Sequence, residues 1–176
     1  MSLPQRKLQR LRGFNYQNGA FFITICTKDA KRILSEIHYE ASANRRDSPC
    51  GCPQLELTLL GKICENTLTT IAQKYGVCIS DYVIMPNHIH MILWLEESNM
   101  RTTARVVPTV SSVIGAYKSM VAVEWARFCK TEKNAAANLW ERSFYDHILR
   151  DEEDLFYKQR YIAENPLRWC IKNRLL

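Results

Sequence analysis

An α+β fold, one antiparallel sheet with helices packed on it, is what the order of pattern elements predicts. Three observations carry that expectation. The chain has 176 residues, 47% of them hydrophobic, enough for a single domain with a sizeable core. Its apolar periodicity switches between strand and helix in the order strand, helix, strand, strand, helix, strand, helix. Two of those strands are separated only by Pro86-Asn87, a spacing that makes an antiparallel hairpin. Antiparallel strands with intervening helices give a ferredoxin-like sandwich spanning residues 1–176 as one domain.

Each element has its own reason. Residues 1–13 carry Arg6, Lys7, Arg10 and Arg12 with no acidic residue. They read as a solvated terminus or, given the basic chain, as an arm that touches phosphate. Residues 19–27 are β-branched and aromatic between turn residues, which predicts a central strand. Residues 41–54 are rich in Ser, Asn, Pro and Gly and read as a surface loop. From Thr58 to Tyr75 the apolar residues Leu60, Ile63, Cys64, Leu68 and Ile71 share one helix face, and Gly76 supplies the stop.

Residues 77–85 and 88–95 form the hairpin. After a polar stretch, Thr109 or Ser111 can cap a helix running to Phe128, with Val113, Ile114, Tyr117, Val121 and Trp125 inward. Residues 139–149 read as a last strand. Asp151-Glu152-Glu153-Asp154 then opens a helix, where the macrodipole favours negative charge. Leu155, Tyr157, Tyr161 and Ile162 continue it, and Asn165-Pro166 is expected to end it.

A formal net charge of +6 favours an anionic partner, nucleic acid before membrane. No run of residues reads as a signal peptide or a membrane span, and the seven cysteines are an odd number. Together these predict a reducing cytoplasm with mostly free thiols. Cys50-Gly51-Cys52 lacks the second ligand pair that a zinc site needs, so it reads as loop.

Chemistry is concentrated at His88-Ile89-His90. On a strand both imidazoles point one way while Ile89 and Met91 point the other. Two neighbouring imidazoles can hold one divalent metal, and they can equally be solvated residues of a half-buried strand. The motif leaves both readings open.

Further blocks extend the pattern: Met85-Pro86-Asn87-His88-Ile89-His90, Ser111-Ser112-Val113-Ile114 leading to Lys118-Ser119, Trp140-Glu141-Arg142-Ser143-Phe144-Tyr145-Asp146-His147, Arg150-Asp151-Glu152-Glu153, and Tyr161-Ile162-Ala163-Glu164-Asn165-Pro166. In this order they resemble the single-tyrosine HUH transposases of the insertion sequence 200-like family, most closely the REP-associated tyrosine transposases. The resemblance runs in register from about Gly19 to Trp169.

That resemblance implies metal-dependent cleavage and rejoining of hairpin-bearing single-stranded DNA through a 5′-phosphotyrosine. It implies His88 and His90 as ligands of Mg²⁺ or Mn²⁺, and Asn165 as a third ligand, although Asn is shorter than the family's usual Gln. It offers two nucleophiles. Tyr161 lies one helical turn before Asn165, as in the insertion-sequence relatives. In some REP-associated members the nucleophile falls in the strand block, at Phe144 here, with Tyr145 one residue out of register; a one-residue shift on a strand changes face. Tyr161 is taken as the nucleophile and Tyr145 as the alternative.

DNA contacts are expected from Arg10, Arg12, Lys118, Arg142, His147, Arg150, Arg168 and Lys172. The expected protein is cytoplasmic, nucleoid-associated when on DNA, free of membrane, and a monomer or homodimer. Two rivals stand beside this reading. One is a domesticated relative that grips DNA or RNA hairpins without cutting. The other is a zinc hydrolase, for which only His38 and His147 remain as further histidine ligands.

Overall fold

The computed structural model describes residues 18–39, 53–96, 108–129 and 138–175. Its centre is a four-stranded antiparallel sheet of β1 (Gly19–Cys26), β4 (Cys78–Met85), β5 (His88–Leu95) and β6 (Tyr145–Leu149), in the order β4-β5-β1-β6. Helices α1 (Leu59–Tyr75) and α2 (Val110–Cys129) connect the strands, and α3 (Glu152–Lys172) follows the last one. The predicted α+β, ferredoxin-like arrangement is therefore what the chain adopts.

Strand alternation divides the sheet into two unlike faces. Phe21, Ile23 and Ile25 of β1 and Ile89, Met91, Leu93 and Leu95 of β5 are all buried on the first face. They pack with Leu60, Cys64, Leu68 and Ile71 of α1 and Val113, Ile114, Tyr117 and Val121 of α2. Ile63 and Trp125, both expected inward, sit half-buried at the margin of this core. The second face packs a smaller cluster, Ala20, Ile92, Leu149 and Ile162, beneath α3. β5 is thus covered on both sides, which explains its near-continuous apolar run.

Helix ends follow the local chemistry. The Thr58 hydroxyl caps α1 by accepting from the Gly61 amide at 3.1 Å, and Gly76 closes it with φ of 64°. Thr109 caps α2, its hydroxyl accepting from the Ser112 amide at 3.2 Å, which leaves Ser111 inside the helix. Asp151 caps α3 by accepting from the Asp154 amide at 2.8 Å.

Three expectations need correction. A second, two-stranded sheet pairs β2 (Ser35–Tyr39) with β3 (Pro53–Leu57), so Pro53 and Gln54 belong to a strand and not to the 41–54 loop. Cys50 and Cys52 lie outside the described residues. The expected strand 139–149 is shortened: Trp140 makes only an isolated bridge to Thr27, and regular pairing starts at Tyr145. In the gap the Lys118 ammonium donates to the carbonyls of Glu141 and Ser143, at 3.0 and 2.8 Å, in place of a ladder.

Finally, α3 does not stop at Asn165-Pro166 but runs to Lys172. Proline removes one amide donor, yet the residues after it are held: Cys170 is fully buried, and Trp169 packs beside His88 and Arg32. Tertiary burial outweighs the local penalty.

The first turn of α1 lies against the segment before β2, with the Thr58 amide and hydroxyl both donating to the Leu34 carbonyl. A Cβ on Gly61 would overlap that same carbonyl oxygen. Alanine gains about 1 kcal/mol of helix propensity over glycine, but overpacking against fixed backbone costs roughly 1–3 kcal/mol. Gly61→Ala is therefore expected to lower stability by up to about 2 kcal/mol, measured by urea unfolding; a stabilising result contradicts the close approach.

Candidate metal and nucleophile site

The second face of the sheet carries the histidine pair. The turn leading into it is fixed from outside: the Asn87 carbonyl accepts from the Thr27 amide and hydroxyl, and the Pro86 carbonyl accepts from the amides of Ile33 and Leu34. Two strand positions apart, His88 and His90 bring their rings to 4.5 Å between centroids. Each ring is oriented through Nδ1. Asn87 Oδ1 lies 2.7 Å from Nδ1 of His88, and Thr24 Oγ1 lies 2.9 Å from Nδ1 of His90. With Nδ1–H donating to those oxygens, both Nε2 atoms keep a lone pair.

Helix α3 lies over this face. The Tyr161 ring stands 5.2 Å from the His90 ring, and Trp169 stands 6.2 Å from His88. Phe22 of β1 stacks on His90 at 5.1 Å and meets the edge of Tyr161 at 6.0 Å. Asn165, one turn after Tyr161, is buried and lies close enough for its side chain to act on His88. So Tyr161, Asn165, His88 and His90 converge, as the sequence led one to expect. Tyr161 is still 36% exposed, enough for a solvent-borne strand to reach it.

Burial sets the charge state of the pair. It pushes His88 down to about 4, with the Lys172 charge adding to the effect and the Asn165 side chain opposing it. It pushes His90 down to about 3, helped by the charges of His88 and Lys158. Both imidazoles are neutral at physiological pH, the form that ligates metals. Nε2 of His90 is buried and meets no hydrogen-bond partner among the described residues. An orphaned buried nitrogen costs stability unless something fills it. The donor set fits a divalent cation, although no cluster of three His, Cys, Asp or Glu exists among the described residues.

Residues 55–165 match the family model described as "Transposase IS200 like". The chain belongs to the IS200-like transposase family. A Haemophilus influenzae protein described as uncharacterized is 28% identical over 182 residues, covering 95% of this chain and 91% of its own. A second H. influenzae protein, named as a candidate REP-associated tyrosine transposase, is 28% identical over 86 residues, 48% of this chain and 47% of its own. Among solved structures, a REP-associated tyrosine transposase bound to a REP hairpin aligns with a TM-score of 0.51 at 16% identity, over 92% of this chain and 74% of that one. That likeness establishes a shared fold.

The other expected residues of this IS200-like transposase fall in several places. Arg10 and Arg12 lie outside the described residues. Lys118 is half-buried and donates to the carbonyls of Glu141 and Ser143, which ties the 141–143 segment to α2. Arg142 and Arg150 are exposed. His147 bonds Asp154 at 2.7 Å across the start of α3. Arg168 pairs with Glu164 at 2.8 Å while its guanidinium sits 5.6 Å over the Tyr161 ring, and Lys172 is exposed near His88.

The strand tyrosine also finds a definite face. Tyr145 pairs with Thr24, and Thr24 with His90, so all three share one row on the histidine side. Phe144 packs against the opposite core. The one-residue shift therefore carries Tyr145 toward the imidazoles and Phe144 away, with two strand spacings, about 10 Å, between Tyr145 and His90. Thr24, Asn87 and Phe22 were not singled out from sequence as site residues. Their roles depend on cross-strand register, which a single sequence does not print.

Because the unfolded histidines titrate near ~6.5, the unfolded chain takes up protons that the metal-free fold refuses as pH falls. Stability is full above that value and is lost on acidification, the loss levelling off below about 3 to 4. Urea unfolding in EDTA is expected to show a loss on the order of 5 kcal/mol between pH 7 and pH 4.5, about half from each histidine. His90→Asn should flatten the curve; an equally steep curve in that variant assigns the effect elsewhere.

Proposed function

We propose that this chain cleaves and rejoins single-stranded DNA beside a hairpin, with Tyr161 as nucleophile. The observation that carries the reading is the convergence of a phenol, an amide and two neutral imidazoles, one with an unpartnered buried nitrogen, on one face of the sheet. Family membership supports a transposase-type function on DNA. The hairpin in the solved relative supports a similar target, a REP-like or element-end hairpin with a single-stranded flank.

His88 and His90, with Asn165 as third ligand, would hold Mg²⁺ or Mn²⁺. What such an ion supplies is polarisation of the scissile phosphate and stabilisation of charge on its oxygens. Everything else belongs to the chain. The Tyr161 oxygen forms a bond to phosphorus as the bond to the 3′-oxygen breaks. The phenol proton leaves to solvent and the departing 3′-oxygen gains one. The products are a 5′-phosphotyrosine and a 3′-hydroxyl. Covalent attachment conserves the phosphodiester bond energy, so the reverse attack by a 3′-hydroxyl reseals the strand without a nucleotide cofactor.

Register gives the second reading its basis: Tyr145 is exposed on the same face, in the row of His90. Tyr161 is preferred because its ring touches that of His90 while Tyr145 stands two strands away.

Single-stranded oligonucleotides from DNA flanking this chain's own coding region, incubated with Mn²⁺, are expected to give a denaturant-resistant protein–DNA adduct. His88→Ala and Tyr161→Phe should reduce it to background while hairpin binding persists, and Tyr145→Phe should retain it. Adduct lost in Tyr145→Phe and kept in Tyr161→Phe moves the nucleophile to β6. Binding with no adduct from any tyrosine means a hairpin binder that does not cut.

Orientation of the imidazoles generates a separate expectation. Thr24→Val removes the partner of His90 Nδ1 at nearly constant volume. Mn²⁺ affinity, followed by calorimetry, should fall about 10-fold; unchanged affinity means that the Thr24 hydroxyl does not orient a metal-binding ring.

A further inference from the structure

Helix α3 presents Lys158, Tyr161, Asn165 and Trp169 at intervals of three and four residues, hence on one face. The reaction above leaves two residues of this row unused, Trp169 and Lys158, and Lys158 is the charged one. Its ammonium lies 5.3 Å from the centre of the Phe22 ring. That ring is the floor shared by His90 and Tyr161. Lys158 is also close enough for its charge to act on His90.

The neighbouring cations of α3 are differently placed. Arg160 and Arg168 both bind the Glu164 carboxylate, at 2.6 and 2.8 Å. Lys158 makes no ion pair among the described residues. An ammonium over an aromatic face gains a modest attraction but keeps its full charge. Lys158 therefore brings an ammonium without an ion pair to the His90 side of the imidazole pair, while Lys172 acts on His88 from the other end.

We propose that Lys158 grips the scissile phosphate, its ammonium donating to a non-bridging oxygen beside His90. This rests on the cut-and-rejoin reading for the identity of the phosphate. In phosphoryl transfer negative charge accumulates on those oxygens, and a fixed donor there stabilises the transition state more than the bound strand. The competing account is packing alone, the lysine stem lying on Phe22 with its head in water.

Two measurements separate these accounts. In EDTA, fluorescence anisotropy of fluorescein-labelled single strands carrying the flanking hairpin gives the dependence of log affinity on log salt. Lys158→Ala should reduce the magnitude of that slope by about 0.7, one phosphate contact on a single strand. Lys158→Arg should keep it, as should Arg160→Ala on the outward face. With Mn²⁺ added, Lys158→Ala should slow adduct formation about 10²-fold, with Mn²⁺ affinity undiminished and thermal unfolding unchanged.

A salt slope unaltered in Lys158→Ala overturns the proposal whatever the adduct does. A reduced slope with a normal adduct rate places the contact away from the scissile phosphate and overturns the assignment made here. A slope that depends on Lys158 in a wild-type protein forming no adduct sinks the cleavage reading while the phosphate contact stands.

Discussion

The constraint on which the rest depends is the burial of two imidazoles between a sheet and a helix laid across it. Desolvation holds both rings neutral, and Nδ1 hydrogen bonds to Asn87 and Thr24 orient them. Such burial is unfavourable for an isolated domain, since a polar nitrogen is left without a partner. The fold tolerates it because the opposite face of the same strands carries the large apolar core. The larger core is concentrated on one side of the sheet and the imidazole pair on the other.

Polar contacts keep α3 in place over the imidazoles. His147 of β6 bonds Asp154 in its first turn, and Asp81 of β4 accepts from Gln159 at 3.1 Å. Beyond its last turn, Asn173 accepts from Arg32 at 2.7 Å, and the same guanidinium covers Trp169 at 5.1 Å. The contacts come from both edge strands and from the segment that leads into β2. Individually they are exposed or half-exposed and contribute little. Together they fix the rotation of α3, and with it the positions of Tyr161 and Asn165 above the sheet.

How much of this was legible in the sequence differs by element. The hairpin was plain, because Pro86-Asn87 interrupts two apolar runs by two residues. The faces of α1 and α2 were plain from their periodicity. The β2–β3 pair was not, since Ser35-Glu36-Ile37-His38-Tyr39 is short and carries few apolar residues. The end of α3 was misread because Pro166 is a local stop signal, whereas the burial of Cys170 that carries the helix past it is a tertiary fact. The site divides the same way. His88 and His90 are two residues apart in sequence and Tyr161 and Asn165 are one turn apart, so each pair could be read. That the pairs meet, and that Thr24, Phe22 and Lys158 join them, follows from register and from the docking of α3. The hold of Lys118 on the Glu141 and Ser143 carbonyls was likewise not legible, since it joins residues more than twenty positions apart.

The two-residue turn before His88 has a consequence for how such a chain can vary. Because the imidazoles occupy alternate positions of one strand, their separation is set by the pleat and not by any connecting segment. The stretches 40–52 and 97–107, which join β2 to β3 and β5 to α2, can therefore change length between related chains without altering the spacing of the pair.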